Sequence, residues 1–529
     1  MRKHILPVLT IFLLGQVACR THTLEKPQKQ SAPLQFSKTY KPPVFEERDR
    51  IQSIGAALKA SHRFYSEAAA VHKLPALAYG VVVGDSLVFF GTFGKSNIEI
   101  GNQVTEHSLF RIASMSKSFT AMAILKLRDE GKLCLAEPAS TYVPELKKLK
   151  YLSDDAPQVS IFNLLTMTAG FPEDNPWGDR FLDISDNALM EQVAEGISFS
   201  TVPSLQYEYS NLGFGLLGHI ITQVSGIPYQ EYITRNILHP LGMMNTYWEF
   251  SEVPPDLLVQ GYRWEDEEWK HEPLLHDGAF GAMGGLITSI TDFSKYISCH
   301  LSAWPPRSDP DSGPVRRSTL REMHRMNNPG FYKDQHRFGD PSLPIMRGYG
   351  FGLVAIKDQE GIVEVGHNGG LPGFGSSYMF YPEYGIGIMA FSNLTYVGGT
   401  VREVNYMVMK ELIKQGVFLP MRLPVSDILE RRKTELLELI SGWDPELEKE
   451  IVAANLYMDI SRETRKEEAK RLLEQIGKIS ATGPVKPENQ LRGSFLIIGK
   501  HGTIKVYFTL TPESEPRVQW LTLELIPGK

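Results

Sequence analysis

Apolar residues recur at helical spacing over residues 45–71 and then switch to two short runs, 76–83 and 86–93. Gly84-Asp85 joins those runs, which is the chemistry of a tight turn, and the pair predicts a β-hairpin. A strand-like stretch at 109–112 leads into a helical pattern over 119–127, and helical periodicity returns at 181–197 and 212–224. Strand-like runs come back at 349–356, 362–366, 376–381 and 386–392. A hairpin first, helices in the middle and strands last imply one antiparallel sheet built from both ends of this region, with helices covering its faces.

A proline-containing segment at 419–424 ends this pattern. Amphipathic helices are expected at 427–440, 445–458 and 462–476, then, after a polar stretch at 481–488, strands at 493–498, 503–510 and 518–526. Residues 425–529 therefore read as a separate α+β domain behind a main domain over 45–419. Residues 1–19 read as an export signal: Met1-Arg2-Lys3-His4 is basic, 5–14 is largely apolar, and Val17-Ala18 precede Cys19. The apolar run is too short for a permanent membrane helix. Residues 20–44, polar and proline-containing, form an expected tether.

Composition narrows the class. Hydrophobic residues make up 42% and charged residues 22% of the 529, as in a globular protein with a large core. The net charge of −6 gives no basic footprint for nucleic acid. Beyond Cys19 only Cys134 and Cys299 remain, too few and too far apart for a disulfide framework, and both are expected to be buried as small apolar residues. The histidines lack metal-ligand spacing, so no metal or cofactor is expected.

Candidate chemistry begins at Ser114-Met115-Ser116-Lys117, the sole Ser-x-x-Lys of the chain, placed where a helix should start. Residues three apart share a helix face, so the Lys117 amine can approach the Ser114 hydroxyl as a base beside a nucleophile. A capping serine and a solvated lysine are the structural alternative. Tyr209-Ser210-Asn211 precedes the helical run at 212–224; Tyr209 can relay a proton, and the Asn211 amide can orient a substrate carbonyl and the lysine. His367-Asn368-Gly369-Gly370 ends an expected strand, and its glycines let backbone approach a ligand, so the Gly370 N–H can join that of Ser114 as an oxyanion hole.

These elements, in this order, resemble the penicillin-recognising serine hydrolases, in particular the class C β-lactamase-like branch with its D-alanyl-D-alanine carboxypeptidases, D-aminopeptidases and esterases. The resemblance covers roughly residues 51–419. Leu164-Leu165-Thr166-Met167-Thr168-Ala169-Gly170 is similar to the family's Leu-Leu-x-His-Thr-Ser-Gly segment, with Met167 and Ala169 as departures, and Gly284-Gly285-Leu286-Ile287-Thr288-Ser289 is similar to another. Cys19 resembles the lipidated cysteine of a bacterial lipoprotein, although Gln16 departs from that pattern. The resemblance implies an α+β fold, an antiparallel sheet flanked by helices plus a mostly helical lobe. It also implies an exported, periplasmic or lipid-anchored enzyme in which Ser114 forms an acyl-enzyme, with Lys117, Tyr209 or both taking the proton. Expected site residues are Ser114, Lys117, Tyr209, Asn211, His367, Gly369 and Gly370. His367 stands where many relatives carry a lysine that helps hold the carboxylate of penicillins or D-Ala-D-Ala termini. A mostly neutral imidazole weakens that anchor, which favours a small peptide or ester substrate over β-lactams. A non-catalytic cell-wall or partner-binding scaffold is the competing class; an α/β-hydrolase would need a Gly-x-Ser-x-Gly elbow that is absent.

Overall fold

The computed structural model describes residues 34–46, 50–51, 55–329 and 336–526; the export segment and Cys19 lie outside them. The chain divides between Tyr40 and Lys41. In the described part of the first unit the Thr39 N–H donates to Ser37 Oγ at 3.2 Å.

In the second unit, eight strands form one antiparallel sheet: β1 (Ala76–Val83), β2 (Ser86–Gly94), β3 (Asn328–Pro329), β4 (Ile345–Tyr349), β5 (Val354–Asp358), β6 (Val363–Leu371), β7 (Phe374–Tyr381) and β8 (Ile386–Ser392). Their order is β2-β1-β8-β7-β6-β5-β4-β3. The first and last strands of the pattern are therefore neighbours, with Leu77 opposite Ser392 and Val83 opposite Ile386.

β1 and β8 are buried along their whole length and almost wholly apolar because both faces of the sheet are covered. Alternation sorts them: Ala76, Ala78, Val82, Met389 and Phe391 join one core, whereas Leu77, Tyr79, Val81, Ile386, Ile388 and Ala390 join another. Helix α1 (Gly55–Val71) packs with α5 (Gly398–Lys414) over the second set; α4 (Ile290–Ser302) lies over the first. Gly387 permits that approach, since a Cβ there would stand 2.3 Å from Ile297 Cγ2.

Helix α2 (Lys117–Asp129) is buried on all sides from Lys117 to Leu125, within the same core as α3 (Asn211–Ser225). A helix enclosed all round carries apolar residues around its circumference, as 119–127 does. Its first turn is thereby fixed between sheet and helical region. Residues 429–521 hold an apolar cluster of their own, with Leu436, Leu439 and Leu472 packed over the strands at Arg492–Gly499 and Thr503–Leu510.

Several elements differ from the sequence pattern. The helix expected over 181–197 runs only Asp186–Glu195, started by Ser185, whose side chain accepts the Ala188 N–H, and ended at Gly196, whose φ is 122°. The run 349–356 breaks into β4 and β5 at a tight turn where the Gly350 N–H donates to the Leu353 carbonyl. The helix expected over 445–458 stops at Ile451, and a 3-10 turn follows at Ala454–Tyr457. Strands Ile479–Thr482 and Lys486–Asn489 precede the expected ones and pair with Arg492–Gly499. Cys134 is exposed, contrary to expectation, because it lies in the turn after α2; Cys299 is buried.

Candidate active site

Ser114 lies in a 3-10 turn, Ala113–Ser116, that runs directly into α2. Ala113 takes the left-handed conformation, φ 51°, and so aims the next residue away from the regular helix path. Ser116 fastens the turn: its hydroxyl donates to the Ala113 carbonyl at 2.8 Å and accepts the Leu286 N–H at 3.1 Å. The segment 284–289 thus buttresses the serine, with Ile287–Thr288 pairing to Phe110–Arg111.

Lys117 is completely buried. Its Nζ stands 3.0 Å from Ser114 Oγ, 2.7 Å from Asn211 Oδ1 and 3.0 Å from the Met283 carbonyl oxygen. Two of these partners can only accept. A neutral amine therefore gives its two N–H bonds to Asn211 and Met283 and turns its lone pair to the Ser114 hydroxyl. Burial pulls the Lys117 pKa down to about 7, against the opposing charges of Asp179 and Asp174. The ammonium form donates to all three oxygens, and the amine form accepts from serine. Near neutral pH the same geometry accommodates both.

Asn211 opens α3. Ser210 caps that helix by accepting the Gly213 N–H at 3.1 Å, while the Asp174 carboxylate accepts the N–H groups of Asn211 and Leu212 at 2.6 and 2.8 Å. Asn211 is wholly buried, its Oδ1 on Lys117 and its Nδ2 donating to Asn175 Oδ1 at 3.1 Å. The preceding loop hangs on Met167, whose carbonyl accepts the Glu208 N–H and whose sulfur accepts the Ser210 N–H. That is the task of the Leu164–Gly170 segment here. The Tyr209 ring then sits 4.9 Å from Lys117 Nζ, edge-on to Tyr349.

Ser114, Tyr209, His367, Gly369 and Gly370 border one cavity of about 490 Å³; Lys117 and Asn211 stand behind its wall. β6 comes so near the serine turn that a Cβ on Gly369 would lie 2.3 Å from the Ile112 carbonyl oxygen. His367 Nδ1–H donates to the Asn368 carbonyl at 2.5 Å, which leaves Nε2 to accept from the Tyr349 hydroxyl at 3.1 Å. Burial, with Lys117 nearby, lowers the His367 pKa to about 3, so the ring is neutral at physiological pH.

The cavity wall also contains residues the motifs did not reveal: Glu173, Asn175, Asp179, Glu208, Arg347 and Tyr396. Asp174, Asn175 and Asp179 lie shortly after the Leu164–Gly170 segment, and their density of short polar groups is the one signal that could have found them. Arg347 reaches the cavity from β4, a strand whose pattern carried no sign of it.

Comparison with known proteins adds the following. Residues 62–410 match the family model described as Beta-lactamase. Beta-lactamase-like protein 2 of Dictyostelium discoideum and a beta-lactamase of Pseudomonas fluorescens are each 31% identical over 232 residues, 42% of this chain and respectively 42% and 59% of theirs. Protein flp of Staphylococcus aureus is 27% identical over 335 residues, 61% of each chain. This chain thus spans 42% to 61% of the length of these curated relatives. The octameric penicillin-binding protein homologue from Pyrococcus abyssi shares the fold, with a TM-score of 0.56 at 22% identity over 87% of this chain and 92% of that one.

Proposed function

The chain belongs to the β-lactamase family, and we propose that it is a serine acyl hydrolase acting through an acyl-enzyme on small peptides or esters. The observation that carries this reading is the position of Lys117 Nζ, buried and 3.0 Å from Ser114 Oγ with its N–H bonds directed elsewhere. Ser114 Oγ attacks the substrate carbonyl carbon, and its proton passes to the Lys117 lone pair. The oxyanion forms against the backbone N–H groups of Ser114 and Gly370. Lys117, with Tyr209 as relay, returns the proton to the leaving amine or alcohol as the bond to it breaks, and water then hydrolyses the ester on Ser114.

The charges of the cavity support peptides or esters over β-lactams. Its charged lining is Glu173, Asp179, Glu208 and Arg347, and His367 is neutral. A penicillin carries an obligatory carboxylate, which meets more negative than positive charge in this site. The basic, apolar and small-residue order of residues 1–19 supports export, with membrane attachment through Cys19.

A panel of short-chain esters, D-amino-acid peptides and a chromogenic cephalosporin tests the reading. Hydrolysis of an ester or peptide should exceed that of the cephalosporin and disappear in Ser114→Ala. Wild-type rates in Ser114→Ala refute the mechanism; a cephalosporin as the best substrate refutes the preference; no turnover and no covalent labelling of folded protein favour a scaffold.

A further inference from the structure

Asp179, like Glu173, Glu208 and Arg347, is a charged group of the cavity to which the acylation chemistry gives no task at the substrate, and of the four it is the buried one. It follows the short helix Asn175–Gly178, is 3% exposed and borders the cavity. Its Oδ1 is buried with no hydrogen-bond partner among the described residues. Such an atom carries a desolvation penalty that a donor supplied by a ligand relieves. Burial raises the Asp179 pKa to about 6, restrained by Lys117 and the Tyr396 hydroxyl, so the group is mainly ionised at neutral pH. Lys117 does not fill the need, because its hydrogen bonds go to Ser114, Asn211 and Met283. Glu173 and Glu208 add negative charge to the same wall.

We propose that the Asp179 carboxylate binds a protonated amine on the acyl part of the substrate, so that the enzyme prefers aminoacyl groups with a free α-ammonium. The acyl side follows from position. Asp179 and Ser114 line the same cavity, and Gly178 beside Asp179 packs against Asn211, which holds Lys117 next to Ser114 Oγ, so a cation on Asp179 lies close to the carbonyl that Ser114 attacks. An α-ammonium is two bonds from that carbonyl carbon. This inference rests on the acyl-hydrolase reading of Ser114.

The test compares kcat/KM for alanine p-nitroanilides of both configurations with their N-acetyl forms, with p-nitrophenyl acetate and fluorophosphonate labelling as reporters of Ser114 chemistry alone. The better free-amine anilide should exceed its N-acetyl form by about ten-fold or more, the scale of a charge-assisted hydrogen bond. Asp179→Asn should bring the ratio close to one, mainly through KM of the free-amine substrate, and Asp179→Glu should keep the preference. The ratio cancels any change that the variants cause at Lys117. A wild-type ratio of one or less, with labelling intact, overturns the amine site and leaves the hydrolase standing. So does a ratio that survives Asp179→Asn. Absence of both labelling and turnover removes the hydrolase reading and the amine site with it.

Discussion

Lys117 has three oxygens around one nitrogen, and the chemistry depends on which of them can donate. Asn211 Oδ1 and the Met283 carbonyl cannot, so deprotonation of the amine leaves its lone pair for the Ser114 hydroxyl. Asn211→Asp tests this arrangement with minimal change of shape. A carboxylate 2.7 Å from Nζ favours the ammonium and raises its pKa, so the acid limb of kcat/KM should move up by about one unit or more, with activity partly restored at higher pH. An unmoved limb would mean that Lys117 is not the titrating base. At this scale Ser114 and Lys117 were legible because a spacing of three places them on one helix face, and Tyr209 and Asn211 because their Tyr-x-Asn pattern precedes a helical run. Asp174, Asp179 and Arg347 were not, since their roles depend on where a loop and a separate strand arrive in space.

The elements deliver these residues through close backbone approaches. Ala113 holds a left-handed φ at the bend before Ser114, and β6 meets that bend at Gly369 without room for a methyl group. Gly369→Ala should push β6 from the serine turn, misplace the Gly370 N–H and lower kcat by about 100-fold, comparable with loss of an oxyanion donor, while KM changes less. Steady-state kinetics beside an unchanged far-ultraviolet circular dichroism spectrum checks this, and near-normal kcat would refute the placement of Gly370. Short apolar runs bounded by turn residues, such as Gly84-Asp85, made β1, β2, β7 and β8 readable. The 3-10 turn at Ala113–Ser116 was hidden, because its geometry comes from Ser116 clasping Ala113 and Leu286, a contact distant in sequence. Helix ends were blurred wherever a cap, such as Ser185 or Gly196, interrupted an apolar pattern that ran on.

Across the whole molecule, the sheet is tied to its covering helix by a buried charge cluster. Glu364 on β6 accepts from Arg337 at 2.6 Å and from Arg402 of α5 at 2.7 Å, with the Tyr381 hydroxyl at 3.1 Å. Burial alone would raise its pKa; the two guanidinium groups outweigh that and hold it at about 2. A folded pKa below the ordinary value of about 4.3 means the stabilisation is complete above pH ~4.3 and is lost as pH falls toward 2. Glu364→Gln leaves two buried cations without their partner and should cost about 3–5 kcal/mol at pH 7, with a shallower acid loss than the wild type. Urea unfolding at several pH values measures both. Equal stability of the two proteins would contradict the cluster's role. That β1 and β8 share one sheet was foreseeable from the order of hairpin, helices and strands; that they lie side by side came only with the fold. The Glu364 cluster was not, since nothing in Val363-Glu364-Val365 distinguishes an inward carboxylate from a solvated one.

The central claim is that neutral, buried Lys117 deprotonates Ser114. The rate at which a fluorophosphonate labels Ser114, followed from pH 5 to 9 in the wild type and in Lys117→Ala, tests it most directly. Because Lys117 titrates at about 7 and His367 at about 3, the wild-type rate should rise about ten-fold per pH unit below 7 and level off above it. Lys117→Ala should label at least about 100-fold more slowly at pH 8. A flat wild-type profile, or labelling of Lys117→Ala at the wild-type rate, would contradict the claim.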